Sequence, residues 1–169
     1  MEVDGIPFTS ISRYYHNGAE TICHCLKEGD KNVTAYAALK MSDVIPRNAV
    51  LIPVPNRCGY ARQTLQLAQL ISKYTGLPVA DVLKGNQRES QYYAKKEDHP
   101  LTEQGMGFRR VGEYSRYRKP IIIDGVADLG TTARAAIHAL GEGEVVTYAV
   151  TDNLLAQGRQ MHRTCGMHR

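Results

Sequence analysis

PIIIDGVADLGTTARAAIHAL, Pro120 to Leu140, is the stretch whose reading decides the fold. Pro120 to Asp124 is an uninterrupted apolar run ending in an acid, as expected for a strand buried on both faces. Ala133, Ala136, Ile137 and Leu140 then recur at helical spacing, so an amphipathic helix follows the glycine turn. Strand, turn and helix in this order make half of a βαβ unit.

The same order occurs upstream. Ala49 to Val54 is a short apolar run, NRCG (Asn56 to Gly59) is a turn, and Tyr60 to Tyr74 places Ala61, Leu65, Ala68 and Ile71 on one helical face. Gly76 and Pro78 end that helix. Thr21 to Leu26 and Val33 to Met41 read as helices separated at Gly29-Asp30, with Asp30 as an N-cap. Val79 to Leu83 and Val145 to Val150 supply two further strands. Strands separated by helices predict an α/β fold: a single-domain parallel sheet flanked by helices, Rossmann-like, spanning residues 1–169. Ligands in such folds lie beyond the carboxyl ends of the strands, where NRCG and DGVADLGTT both fall. Residues 1–20 and 153–169 carry no readable pattern and are expected as a hood over the sheet or as loose termini.

With 169 residues and 43% apolar content the chain can build one proper core. Its net charge of +4 is mild and spread, and suits an anionic small molecule as well as nucleic acid. No apolar run approaches the ~18 residues of a membrane span, and MEVDGIPFTS lacks the basic-then-apolar order of a signal peptide. A cytoplasmic protein with no membrane partner is expected. Cys23, Cys25, Cys58 and Cys165 then read as reduced thiols. Cys23-His24-Cys25 and the group His162, Cys165 and His168 offer zinc-type atoms without the C-x2-C pairing that would mark a metal site.

Lys84 to Val111 is long and polar, with Arg88, Tyr92, Tyr93, Lys95, Lys96, Arg109 and Arg110. It reads either as a solvated excursion or hairpin, or as a lid whose cations Arg88, Lys95 and Lys96 close over an anionic substrate. YSRYRK, Tyr114 to Lys119, is too short for the basic and aromatic stripe of a single-strand binder, so nucleic acid is not indicated.

The turn after Asp124 carries the chemistry. A helix that starts near Gly130 presents backbone N–H groups and the positive end of its dipole, and Leu129, Gly130, Thr131 and Thr132 together suit a monophosphate. Asp124 is placed to accept hydrogen bonds from sugar hydroxyls. The alternative is that Asp128 and the threonines simply cap the helix.

Ile121 to Thr132 resembles the phosphoribosyl-diphosphate (PRPP) motif of type I phosphoribosyltransferases: an apolar strand, two acids, two more residues, a Thr-rich glycine turn and a helix. VLIPVPNRCGYARQTLQLAQLI resembles the strand, pyrophosphate loop and helix of the ComF-like branch. Gly59 and Tyr60 fit that branch's Gly-Phe pair, whereas Cys58, Ala61 and Arg62 depart from its Arg, Asn and Gln. Gln91 and the segment Gly107, Phe108 and Arg109 sit where the branch has its Gln and Asn-x-x-x-Phe region. The resemblance runs from about Thr21 to Asp152.

It implies PRPP as co-substrate with Mg2+. Asn56, Arg57, Cys58 and Gly59 would meet the diphosphate, and Leu129 to Thr132 the 5-phosphate. Asp124 would hold the ribose and position magnesium indirectly. Asp128 coincides with the Asp of the Asp-Thr-Gly pattern of 6-oxopurine enzymes, where the carboxylate handles the purine ring proton. The second motif acid is replaced by Gly125, which removes charged acceptors worth roughly 1.5–3 kcal/mol each. Affinity would fall by roughly one or two orders of magnitude. The implied activity is transfer of phosphoribose from PRPP to a nucleobase or similar nitrogen acceptor, with release of pyrophosphate. Gly125 favours the alternative of a catalytically impaired protein that binds PRPP or a nucleotide for regulation. A second alternative is an accessory role in DNA uptake, with which ComF-like proteins are associated. A homodimer is a further implication.

Overall fold

The computed structural model describes residues 1–89 and 101–165, with side chains described as far as residue 158. Its main sheet contains β1 (Glu2–Val3), β2 (Ile6–Arg13), β3 (Ala49–Pro53), β6 (Lys119–Ala127) and β7 (Glu144–Val150), in the order β1-β2-β7-β6-β3. β4 (Leu83–Lys84) and β5 (Arg109–Arg110) form a separate antiparallel ribbon. β2, β7, β6 and β3 are parallel, and β1 folds back antiparallel on β2. This is a mostly parallel α/β sheet with helices on both faces.

Alternation along β6 sets those faces. Ile121 and Ile123 join Cys23 and Leu26 of α1 (Ala19–Glu28), Met41 of α2 (Lys31–Ser42) and Ile71 of α3 (Gln63–Thr75). Ile122 belongs to the opposite core, with Phe8, Ile52, Ala136 of α5 (Thr131–Leu140) and Leu154 of α6 (Asp152–Cys165). The three isoleucines are fully buried, and each contributes roughly 1.5–3 kcal/mol of apolar transfer. α1 and α2 are distinct because Gly29 turns left-handed at φ 80° and Asp30 caps α2, accepting from the Val33 N–H at 2.9 Å.

The chain path creates a crevice. From β3 the chain crosses through α3 to Val79, which bridges Leu51 in parallel on the edge of β3 away from β6. It then returns to form β6 on the other edge and continues through α5 to β7. The direction of travel therefore reverses between β3 and β6, and α3 and α5 lie on opposite faces. A reversal of this kind leaves a cleft at the carboxyl ends of the two strands.

Several elements differ from expectation. Val79 to Leu83 is not a continuous strand: Val79 makes one bridge, the Val82 N–H then bonds back to the Ala80 carbonyl at 3.0 Å, and this tight turn sends Leu83 into the ribbon. α3 begins at Gln63 rather than Tyr60. β6 runs through Asp124 to Ala127, because β7 keeps pairing with it as far as Ala127↔Val150. The unpatterned N-terminal segment supplies β1 and β2, and β2 pairs with β7 from Phe8 to Arg13. Within the polar stretch before Val111, Glu103–Met106 forms the short helix α4.

Candidate functional site

Pairing between β3 and β6 stops at Pro53↔Ile123, while β6 continues beside β7. Asp124 is thus the first residue of β6 beyond the reach of β3, and it enters the crevice half-buried. Its Oδ1 accepts from the Gly125 N–H at 2.7 Å. Burial lifts its pKa to about 6, opposed by the Gly125 N–H, Lys27, the Val126 N–H and Arg88.

Gly125, where the resemblance places the second acid, has an ordinary backbone conformation rather than a left-handed one. A Cβ there would stand 3.8 Å from Leu26 Cδ1, so nothing forbids a side chain. On the other side of this residue the buried Cys23 thiol donates to the Gly125 carbonyl at 3.8 Å. Burial pushes that thiol up to about 12. α1 therefore seats its last turn, with Lys27, beside Asp124.

The NRCG loop forms the opposite wall and is internally bonded. The Cys58 N–H donates to Asn56 Oδ1 at 2.8 Å, an Asx turn, and Asn56 Nδ2 donates to Gln63 Oε1 at 3.2 Å. The Gly59 N–H closes the turn on the Asn56 carbonyl at 3.0 Å. Gly59 sits at φ 85°, and the Gly85 carbonyl oxygen lies 2.4 Å from where its Cβ would be. Glycine is required there on both counts. Arg57 and Cys58 are exposed at the tip.

Arg88, expected as a lid cation, lies against this loop. Its guanidinium donates to the carbonyls of Asn56 at 2.9 Å, Pro55 at 3.2 Å and Asn86 at 3.2 Å, and its backbone N–H donates to the Arg57 carbonyl at 2.9 Å. It stacks over the Phe108 ring at 5.3 Å, and burial lowers its pKa while Asp124 opposes that shift. Lys95 and Lys96 lie outside the described residues, as does Gln91.

The turn after β6 starts α5 with Gly130 as N-cap at φ 76°, without any side-chain cap. The first amides of α5 have no acceptor within the helix. Thr131 is buried and Leu129 and Thr132 half-buried at this end. Asp128 does not cap the helix. Its Oδ1 accepts from Thr151 Oγ1 at 2.7 Å and Asn153 Nδ2 at 2.8 Å, which ties the turn to the start of α6. Arg134 packs behind the turn and pairs with Asp4 at 3.0 Å and Glu103 at 3.1 Å.

Lys27, Arg134, Thr151 and Asn153 were not among the residues picked from sequence. Lys27 becomes visible as a neighbour of Asp124 only once β2 is known to be the strand that feeds α1 back across the sheet. Thr151 and Asn153 lie just beyond β7, at another strand carboxyl end, which is the signal that could have found them.

Among the described residues no three His, Cys, Asp or Glu side chains converge as a metal-holding group. At the crevice a magnesium ion would meet one carboxylate, already bonded by the Gly125 and Val126 N–H groups and acted on by Lys27 and Arg88. One carboxylate is too few for an ion held by the protein alone, and fits an ion that takes its other oxygens from a bound diphosphate and water.

No family model matches the chain, and no curated protein matches it in sequence. Among solved structures it is similar to the allosteric regulatory enzyme of purine biosynthesis, at 16% identity and TM-score 0.43, over 88% of this chain and 27% of that one. The chain thus spans about a quarter of that enzyme. It is similar to a purine phosphoribosyltransferase from Pyrococcus horikoshii Ot3 at 19% identity and TM-score 0.39, covering 71% of this chain and 81% of that one. It is also similar to an adenine phosphoribosyltransferase from Leishmania donovani at 11% identity and TM-score 0.47, covering 95% and 80%. These overlaps are loose, and the fold class rests on the strand order itself.

Proposed function

We propose that this chain is a type I phosphoribosyltransferase-like protein that binds PRPP and transfers its phosphoribose to a nitrogen acceptor of the nucleobase class. The observation that carries the reading is the pair of loops at one topological switch point. β6 carries Asp124 just past its last pairing with β3 and leads into a glycine-started helix, and after β3 comes an Asx-turn loop tipped by an arginine.

In this reading the amides of Leu129 to Thr132 hold the 5-phosphate at the positive end of α5. Asp124, when ionised, accepts from the ribose hydroxyls. Arg57 receives the diphosphate at the loop tip, where the Asn56, Cys58 and Gly59 N–H groups are committed to bonds that shape the loop. As the bond from the anomeric carbon to pyrophosphate breaks, positive charge grows on the ribose and Asp124 lies below it. The acceptor nitrogen forms the new bond and its proton passes to Asp128. Two neutral donors, Thr151 and Asn153, orient that carboxylate.

Gly125 favours a second reading: a protein that binds a ribose phosphate without turning it over. Calorimetric titration of PRPP into the wild type and Asp124→Ala, followed by a screen of purine bases for pyrophosphate release, separates the two. Binding lost in the variant and release with one base establishes the transferase. Binding without release leaves the binder, and no PRPP binding at all ends the transferase reading and sends the second to titration with nucleotides.

A further inference from the structure

We infer that Arg134 is a positioning residue for the 5-phosphate of PRPP: it holds the Thr131 hydroxyl and the Gly130 corner, and is itself held by Glu103 and Asp4. The inference rests on the ribose-phosphate reading and concerns how the phosphate end of that site is built.

The first observation is what the guanidinium touches. Arg134 lies one helical turn after Gly130 and Thr131, and helical side chains lean back toward the N-terminus. A Cβ on Gly130 would meet Arg134 Nη1 at 3.1 Å and Leu154 Cδ1 at 3.2 Å, so the guanidinium stands where a side chain at this corner would be. Its Nη2 is 3.5 Å from the Oγ1 of buried Thr131. A guanidinium only donates, so the hydroxyl accepts from it and keeps its own proton for a phosphate oxygen.

The second is what fixes the guanidinium. Nε donates to Glu103 Oε1 at 3.1 Å and Nη1 to Asp4 Oδ2 at 3.0 Å. With Nη2 toward Thr131, all three nitrogens face a partner, which sets the plane of the group as a lysine ammonium could not. Glu103 comes from α4 and takes His138 Nδ1 at 2.5 Å on its other oxygen. Asp4 comes from the β1–β2 turn, where its backbone is left-handed at φ 52°.

The third is the sign of the charges. A cation in the first turn of α5 opposes the helix dipole, so the helix alone gives no reason for it. An anion at the turn does, since it would meet the cation and the positive helix end together. Glu103 and Asp4 by themselves would repel that anion, so any help they give to binding has to run through Arg134.

The test is calorimetric titration of PRPP in magnesium buffer with the wild type, Thr131→Val, Arg134→Met, the double variant of these two, and Glu103→Gln. Thr131→Val keeps the branched shape and loses the hydroxyl. Each of the first two variants is expected to weaken binding by about tenfold, and the double variant by less than about threefold beyond the weaker-binding single one. Glu103→Gln is expected to weaken binding by about threefold or more, although it removes a negative charge near the phosphate. Damage to the fold, or a direct bond from Arg134 to the phosphate, would instead multiply the two losses to about a hundredfold, and that result overturns the inference. Binding by Glu103→Gln as tight as wild type or tighter overturns it too, as does a loss below about twofold in Thr131→Val or Arg134→Met. All of these leave the ribose-phosphate reading standing. No PRPP binding by the wild type removes the transferase reading and this inference with it.

Discussion

Gly59 and Gly85 meet backbone to backbone: the Gly85 N–H donates to the Gly59 carbonyl at 2.9 Å, and the Gly85 oxygen lies 2.4 Å from a would-be Gly59 Cβ. The loop after β3 is therefore shaped by the segment that follows β4, far along the chain. Gly59→Ala has to leave its left-handed φ or push Gly85 away, and Phe108 stands within 2.8 Å of a Cβ built on Gly85 itself. A loss of about 2 kcal/mol or more is expected, in the range of strained-backbone substitutions. Urea unfolding of the variant measures it, and a midpoint equal to wild type would show that the loop relaxes freely.

Arg88 braces the same loop from the side. One planar guanidinium reaches the Pro55 and Asn56 carbonyls together, a geometry that a lysine ammonium does not reproduce. Arg88→Met and Arg88→Lys should both lower stability by about 1–3 kcal/mol, the range for charge-assisted hydrogen bonds. Amide exchange at Gly59, whose N–H closes the turn on Asn56, should accelerate in both variants. Unchanged protection in Arg88→Lys would mean that charge alone, not the fork, holds the loop.

Asp124 sets a conflict between stability and binding. Its pKa in the fold, about 6, lies above the ordinary 3.8, so the folded state favours the neutral acid. The stabilisation from that neutral form is complete below about pH 4 and is lost as pH rises through 6. At pH 7 the charged form disfavours the fold by up to about 3 kcal/mol, from roughly two units at 1.36 kcal/mol each. Asp124→Asn should therefore match wild type near pH 4 and unfold at a higher temperature above pH 6, while binding ribose phosphates more weakly. Wild-type binding should strengthen as pH rises through 6, since the carboxylate must be charged to accept from hydroxyls. Parallel melting profiles for the two proteins from pH 4 to 8 would remove the argument.

What the sequence made legible follows from how completely each element is buried. Ile121 to Ile123 and Val50 to Ile52 are covered on both faces, so they appear as bare apolar runs, and the Asp30 cap and the helices it separates follow from local rules. β2 was not read because only Ile6 and Phe8 of it are buried, while Ser10, Ile11 and Ser12 stay half-exposed. Its partner is β7, more than a hundred residues away, and no local signal announces that pairing. The end of β6 was misplaced for a related reason. Asp124 looks like a stop, yet the ladder to β7 carries three residues further. The positions of Gly130 and the NRCG loop beyond strand ends could be read from order alone. Lys27 and Arg134 could not, because each reaches the site through a tertiary contact.

Arg134 offers the last test, since it joins three distant pieces behind the turn that starts α5. It lies one helical turn after Thr131 on α5, with Nη2 3.5 Å from the Thr131 hydroxyl. Its Nε pairs with Glu103 of α4 and its Nη1 with Asp4 of the β1–β2 turn. The same Glu103 takes His138 Nδ1 at 2.5 Å through its other oxygen. The Arg134–Glu103 pair is only about a quarter exposed on either side, whereas Asp4 is half-exposed, so the coupling should sit mainly with Glu103. The Arg134 guanidinium stands over Gly130, and Arg134→Met keeps a long side chain there but removes the charge. A double-mutant cycle with Glu103→Gln is expected to return a coupling of about 1 kcal/mol that shrinks little in high salt, whereas a cycle with Asp4→Asn should give about half of that or less and vanish in salt. If the two cycles came out alike, the partial burial of the Glu103 pair would not be what holds α4 to the start of α5.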